Sequence, residues 1–153
     1  MSEPAPSPII DSDVPRVKKD IDAYVESGGK LPVFRYNSPL VLITTQGRKS
    51  GEWRRTCLIG SRDTGGDGKD VIIVASKGGT PEHHVWYLNL EANARVWVQV
   101  GPDTFWATAH TATPEEKPRL WDFMVGLYPD YADYQKKTDR DIPVVILRPA
   151  LEL

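Results

Sequence analysis

Arg48, Lys49, Arg54 and Arg55 place four cations within eight residues of a chain whose formal net charge is −2. Gly47 and Gly51 let the backbone there take φ > 0 or approach a ligand closely. The hydroxyls of Thr44, Thr45, Ser50 and Thr56 flank the cations. Guanidinium groups, hydroxyls and backbone N–H groups gathered at one turn are the donors that a phosphate or carboxylate requires. A solvated basic hairpin has the same composition, so anion binding needs support from elsewhere in the chain.

That support comes from a second basic turn, Ser76-Lys77-Gly78-Gly79. It leaves an apolar run and leads into a helical segment, whose first amides favour an anion. An exposed loop lysine is the alternative for Lys77. Ser50 and Ser76 lack the G-x-S-x-G setting of a nucleophile and read as hydrogen-bond donors to an anion. Trp86 and Tyr87 bring two rings close to the same strand end. Tyr128, Tyr131 and Tyr134 recur at i, i+3, i+6, so a helix sets them along one edge. Core packing is the ordinary role of such an edge, while a tyrosine O–H beside an acceptor can also deliver a proton.

Other chemistry is poorly supported. His83 and His84 are adjacent and so diverge on a helix, His110 is distant, and no zinc-ligand spacing is completed, so no metal is expected. Cys57 lies in an apolar strand and reads as core. Gly65-Gly66-Asp67-Gly68 is hairpin-turn chemistry and not a dinucleotide fingerprint. The acidic net charge argues against nucleic acid as a partner. No apolar run approaches the ~20 residues of a membrane span, and no basic-then-apolar leader opens the chain. With a single cysteine no internal disulfide forms, which fits a cytoplasmic location.

The elements that must position these groups follow from periodicity. At 153 residues one domain is expected. Residues 1–15, rich in proline, serine and acid, are expected to be disordered or loosely draped. Residues 16–38 supply a helix and a linker: Val17, Ile21, Tyr24 and Val25 make one apolar stripe that ends before Gly28-Gly29. The stripe is too weak to define a membrane anchor, though it does not exclude peripheral contact, and it could cover a cleft. Residues 39–153 form the main domain. Strands are expected at 40–45, 54–59, 70–75, 94–100, 104–111 and 143–147, and helices at 81–93 and from Thr113. Thr113-Pro114-Glu115-Glu116 is a capping box. Most neighbouring strands are joined as hairpins. The fold class is therefore α+β, a mostly antiparallel six-stranded barrel with peripheral helices. Two basic glycine turns and many rings on such a barrel suit a planar ligand with an anionic tail, without choosing among such ligands.

Assembled in order, these blocks resemble the deazaflavin-dependent nitroreductase family of actinobacteria, split β-barrel enzymes that use coenzyme F420. The resemblance runs from about residue 39 to 149. It rests on Thr44-Thr45-Gln46-Gly47-Arg48-Lys49-Ser50-Gly51, Val74-Ala75-Ser76-Lys77-Gly78-Gly79, Trp86-Tyr87-Leu88-Asn89-Leu90, and Tyr128-Pro129-Asp130-Tyr131-Ala132-Asp133-Tyr134 with Thr138-Asp139-Arg140.

The resemblance implies a reductase that passes a hydride from F420H2 to a small electron-poor acceptor: a quinone, an activated alkene or a nitroaromatic. It implies that Arg48, Lys49, Ser50 and Arg54, with Arg55 and Thr56 beside them, meet the cofactor's anionic tail. It also implies that Val74, Ala75, Ser76 and Lys77 line the ring and phosphate, and that Val85, Trp86, Tyr87, Leu88 and Asn89 form the wall beside the ring. Tyr131 would contact cofactor, with Tyr128 and Tyr134 near the substrate, and Tyr131, Tyr134 or solvent would supply the proton. Thr56-Cys57-Leu58-Ile59 continues the ring wall where relatives often have Asn-Pro-Leu-Tyr, so Ile59 replaces a ring-bordering tyrosine. A homodimer is compatible, with Trp97 or Trp106 as contact candidates. An FMN-dependent reductase or oxidase on the same barrel, and a non-catalytic F420 carrier or sensor, are the competing readings.

Overall fold

The computed structural model describes residues 3–32, 34, 35, 37–79 and 82–150. Met1 and Ser2 of the expected tail, Pro81 of the expected helix, and residues 151–153 of the expected barrel domain lie outside the described residues.

Alternation along the strands builds the barrel. In β3 (Ser38–Gln46), Val41 and Ile43 point into one core, while Leu40 and Leu42 point to the opposite side. β4 (Trp53–Arg62) pairs antiparallel with β3 across the basic connection. β5 (Val71–Val74), β6 (Arg95–Val100), β7 (Asp103–Thr111) and β8 (Val144–Pro149) complete a ring in the order β3-β4-β5-β8-β7-β6-β3. All six pairings are antiparallel, and the barrel is filled by Val41, Ile43, Ile73, Val98, Val145 and Leu147. β5 is fully buried on both faces, as its continuous apolar run predicts.

Helices cover two outer faces. α1 (Pro15–Glu26) lays Ile21 and Tyr24, both fully buried, on Leu40 and Leu42. Each such side chain contributes roughly 1.5–3 kcal/mol of burial. The Tyr24 hydroxyl donates to the Leu40 carbonyl at 3.1 Å and accepts from Gly101 N–H at 2.7 Å. The centre of the α1 stripe is therefore spent on the barrel, while Val17 lines a cleft and Val25 stays exposed. α2 is Val85–Ala92. α3 (Lys117–Leu127) and α4 (Asp130–Lys136) seat Leu120, Met124 and Tyr131 on Ile72, Val74, Val144 and Ile146. The capping box forms: Thr113 N–H donates to Glu116 Oε1 at 3.0 Å, and Glu116 N–H to Thr113 Oγ1 at 3.2 Å. Regular α-helix begins only at Lys117, one turn later than the cap alone suggests. The helix then breaks at Tyr128-Pro129 and restarts as α4.

The barrel is split along β4. Its residues 60–62 pair with β5, whereas residues 53–55 pair in parallel with β1 (Ile9–Asp11). Among the described residues, positions 56–59 meet no strand on that side. Gly60 marks where the two neighbours part. A Cβ there would fall 2.7 Å from Val41 Cγ2 and 2.8 Å from Ile73 Cγ2, so the close approach of three strands requires glycine.

The strand β1 corrects one expectation. From Glu3 onward the segment expected to be disordered or loosely draped is laid along the barrel by strand pairing and ring contacts. Trp106 Nε1 donates to the Pro4 carbonyl at 3.0 Å, Glu3 pairs with Arg95, and Pro6 is buried. Proline limits ladder donors but not docking on aromatic rings, and composition did not show the Trp53–Trp106–Trp97 cluster that receives the segment. Trp106, named as a dimer-contact candidate, is thereby engaged by the chain's own N-terminal residues. A short β2 (Phe34–Arg35) on the edge of β3 was also not foreseen.

Candidate functional site: a two-lobed cleft at the split

Two clefts meet at the unpaired stretch of β4. One encloses about 480 Å³ between α1, the β4 edge, the Val74–Lys77 segment and the tyrosines of α4. The other encloses about 420 Å³ between β1, the start of β4 and the first turn of α2. Thr56, Lys77, His84 and Trp86 line both, so the two are lobes of one groove. The first lobe is walled mainly by aliphatic and aromatic side chains. The second carries Arg54, Arg55 and Lys77.

The ring-sized lobe gathers most of the expected ring contacts: Thr56, Cys57, Leu58 and Ile59 from the β4 edge, then Val74, Ser76 and Lys77, then Trp86. Cys57 is half-buried on the face toward α1, and burial pushes its thiol up to about 12. It is a protonated packing group, not a nucleophile. Tyr128, Tyr131 and Tyr134 meet here as the helical spacing predicts, with ring centroids 5.0–6.2 Å apart in tilted and edge-on arrangements. Tyr128 and Tyr134 share a hydroxyl–hydroxyl hydrogen bond of 3.1 Å. Hydrogen bonding to Tyr134, with burial, raises the Tyr128 hydroxyl pKa above the ordinary phenol value. Burial, with Tyr134 beside it, raises that of Tyr131 too. Tyr131 is 4% exposed, and its hydroxyl has no hydrogen-bond partner among the described residues.

The second turn is rigidly built. Lys77 opens a 3-10 turn (Lys77–Gly79) with φ 45°, an unusual left-handed conformation for a lysine. Its N–H donates to His84 Nε2 at 2.8 Å, so His84 carries its proton on Nδ1. Burial, reinforced by Lys77, Arg140 and His83, brings His84 down to about 4, and it is neutral at pH 7. It stacks on Trp86 at 5.3 Å and 22°. Arg140 donates to the Ala75 carbonyl at 3.0 Å and to the Ser76 carbonyl at 2.7 Å. Gly79, φ 78°, lies so close to α4 that a Cβ would sit 2.4 Å from the Tyr134 carbonyl oxygen. The turn that carries Lys77 is thus locked to the tyrosine edge.

The first turn is anchored more lightly. Arg48 donates its N–H to Asn89 Oδ1 at 3.1 Å and its Nη1 to the same atom at 3.4 Å. Asn89 lines the second, cationic lobe (the tail lobe) and donates to Thr45 Oγ1 at 3.4 Å. Ser50 Oγ accepts from Glu52 N–H at 3.1 Å, stabilising its own turn. Lys49 is exposed, and Arg54, 53% exposed at its side chain, touches Glu52 at 3.0 Å. Thr44 is buried on the outer face, and its Oγ1 is without a hydrogen-bond partner among the described residues.

Not all of the expected contacts converge. Arg48, Lys49, Ser50, Ala75, Tyr87 and Leu88 line neither lobe. Helical rotation explains α2: Val85, Trp86 and Asn89 face the groove, while Tyr87 turns into the barrel core and shares a 3.1 Å hydrogen bond with Thr111. Ala75 is fully buried core. Arg55 reaches the tail lobe but already holds Asp11 through two hydrogen bonds of 2.6 and 3.1 Å. Period-2 alternation separates it from Arg54: Arg54 is opposite Thr45, and Arg55 opposite Thr44.

Several groups at the cleft carry no signal in the sequence pattern. His84 lines both lobes, and Arg140 lines neither but braces the Lys77 turn through the Ala75 and Ser76 carbonyls. Ile10, Asp11, Ser12 and Asp13 wall the tail lobe, and Val14, Arg16, Val17 and Asp20 wall the ring lobe. The helical spacing of 16, 17 and 20 was a usable signal. The bidentate pairing of Asp20 with Arg35, 15 residues apart, had none.

A split antiparallel barrel with an aromatic lobe opening into a cationic one defines a binder of a planar cofactor with an anionic tail. The model of the F420H2-dependent quinone reductase family matches residues 16–149, and the chain belongs to that family. It is 41% identical over 112 residues to the F420H2-dependent quinone reductase Rv1261c of Mycobacterium tuberculosis, covering 71% of this chain and 72% of that protein. The solved structure of an F420-H2 dependent reductase, FDR-A, superposes with a TM-score of 0.65 at 44% identity, covering 72% of this chain and 94% of that one. A second solved structure, described as a domain-swapped dimer, gives a TM-score of 0.67 at 39% identity over 90% and 100% of the two chains.

Proposed function

We propose that this protein is an F420H2-dependent reductase that delivers hydride to a quinone. The observation that carries the reading is the junction of the two lobes at Thr56, Lys77, His84 and Trp86, which puts an aromatic slot and a cationic channel end to end. When bound, the reduced deazaflavin supplies a hydride and no one-electron chemistry. The phosphate and glutamates of its tail match Arg54 and Lys77 in the second lobe, with Arg48 and Lys49 at the adjoining turn. Val74, Leu58, Ile59 and Trp86 would hold the ring and exclude water, which would favour the close approach of donor and acceptor carbons (roughly 3–3.5 Å) that hydride transfer requires.

Tyr131 presents at the acceptor side a hydroxyl that has no hydrogen-bond partner among the described residues. Because its pKa is raised, it stays protonated through neutral pH and serves as a hydrogen-bond donor to the acceptor oxygen, while solvent supplies the proton. Nitro and alkene acceptors belong to the same hydride chemistry. We place the reaction in the cytoplasm, where the single thiol Cys57 stays reduced. Among the described residues no helix is long and apolar enough to cross a membrane. Pairing of two copies is part of this proposal and is read by light scattering.

Anaerobic mixing of the protein with F420H2 and menadione tests the reading. Oxidation of F420H2 is expected, with none of FMNH2 or NADPH. Turnover with FMNH2 alone would assign an FMN enzyme, and tight F420 binding without reduction of any acceptor would assign a carrier. Tyr131→Phe is expected to lower kcat about tenfold with cofactor affinity little changed. An unaltered kcat would remove Tyr131 from the reaction.

A further inference from the structure

The ring lobe has a charged end that hydride transfer from the cofactor does not itself explain. Arg16, Asp20 and Arg35 line it from α1 and β2, beside Val17 and Leu40. Asp20 is 6% exposed, and Arg35 Nε donates to its Oδ2 at 2.7 Å while Nη2 donates to Oδ1. A nearly buried ion pair adds little net stability, because desolvating both charges offsets their attraction. Arg16, in the first turn of α1, has no hydrogen bond or ion pair among the described residues. The three groups sum to one positive charge. All three line the same lobe as Cys57, at the end walled by α1 and β2.

Resting on the reading above, we infer that Arg16, with Arg35 held in place by Asp20, forms a cationic acceptor rim that selects quinones bearing an ionised oxyanion, carboxylate or sulfonate. The chemistry explains why a cation belongs there. A quinone that accepts a hydride takes up two electrons and one hydrogen nucleus. One of its C=O groups then becomes C–O⁻ until a proton arrives from solvent. Tyr128 and Tyr131 are poor acids, so they donate hydrogen bonds to that oxygen without neutralising it. A guanidinium group supplies the counter-charge, and it does the same for a negative substituent already present on the ring. The rim is distinct from the tail lobe, whose cations come from β4 and Lys77.

The test uses full-length protein and two probes of the same ring system, menadione and a naphthoquinone sulfonate. Quenching of tryptophan fluorescence gives both dissociation constants with and without F420, and F420H2 oxidation gives both KM values. The readout is the ratio of the sulfonate constant to the menadione constant, which cancels general damage to the cleft. Arg16→Gln is expected to raise that ratio about fivefold to tenfold and Arg16→Glu by more, as loss and reversal of one partly solvated charge require. Raising NaCl from about 0.02 to 0.5 M should raise the wild-type ratio and leave that of Arg16→Gln nearly flat. Arg16 is exposed and unpaired, so these variants fold, and their thermal midpoints check it. A ratio that moves less than twofold in both variants overturns the rim. If the binding ratios shift as expected but neither quinone is reduced, the rim stands and the quinone-reductase reading fails. Turnover of both quinones with an insensitive ratio has the opposite meaning.

Discussion

The two basic, glycine-bearing turns look alike in composition and differ in construction. Residues 47–52 carry exposed cations and are tied to the molecule mainly through Asn89. Residues 76–79 are clamped by His84, by Arg140 and by the backbone of α4. The first turn holds its charges in a solvent-screened setting. The second is a rigid turn at the junction of the lobes. Charge density marks where an anion is attracted, whereas packing decides where it is held.

Substitutions that strike the clamp should therefore do more than those that strike the charge. Gly79→Ala is expected to have the largest effect. It adds a Cβ 2.4 Å from the Tyr134 carbonyl at a left-handed φ, which costs several kcal/mol if α4 must shift (on the order of 3 kcal/mol). Chemical denaturation measures the loss. A change under 1 kcal/mol would show that the turn and α4 slide apart freely. Arg140→Met comes next, leaving the Ala75 and Ser76 carbonyls short of a donor, with an expected loss of about 2–3 kcal/mol and weaker F420 binding.

Acid should loosen the same clamp. His84 titrates near 4 in the folded protein against 6.5 in the unfolded chain. Between these values the unfolded state binds more protons, so stability rises with pH across the window and is lost as pH falls through it. His84 is only partly buried, so the loss is on the order of 2 kcal/mol between pH 6.5 and 4. His84→Gln, which can still accept from the Lys77 N–H, should flatten that part of the profile. A wild-type profile that is flat from pH 6.5 to 4 would show that His84 protonation is not resisted by the fold.

The soft turn gives the smallest effects. Lys49→Ala and Arg54→Ala are each expected to weaken F420 binding by about 1 kcal/mol, and the difference should vanish in about 0.5 M salt. A loss of 3 kcal/mol, insensitive to salt, would make the first turn as well organised as the second and erase the contrast between them.

Much of this was legible beforehand, for identifiable reasons. Hairpin spacing and period-2 alternation named the six barrel strands, and the capping box placed the third helix. The i, i+3, i+6 spacing of the tyrosines survived the break at Tyr128, because the backbone is helical again from Pro129 and carries Tyr131 and Tyr134 through α4. What was missed depended on partners far apart in the chain. The N-terminal segment reads as disordered by composition, yet its proline backbone finds Trp106 about 100 residues away. Tyr87 and Leu88 were grouped with Trp86 by adjacency, and helical rotation separates them. Arg55 was grouped with Arg54, and strand alternation sends it to Asp11.

The sequence by itself determined which residues are strand, which turns are basic and which rings share an edge, because periodicity, glycine and charge act within a few residues. Only the tertiary structure decided that β5 leaves β4 at Gly60, that β1 covers only residues 53–55, and that the uncovered stretch between them becomes the cleft. Those outcomes depend on closing the barrel, where every backbone donor and acceptor must find a partner or face an opening. The site lies where closure is incomplete, a property of the whole ring of strands and not of any segment in it.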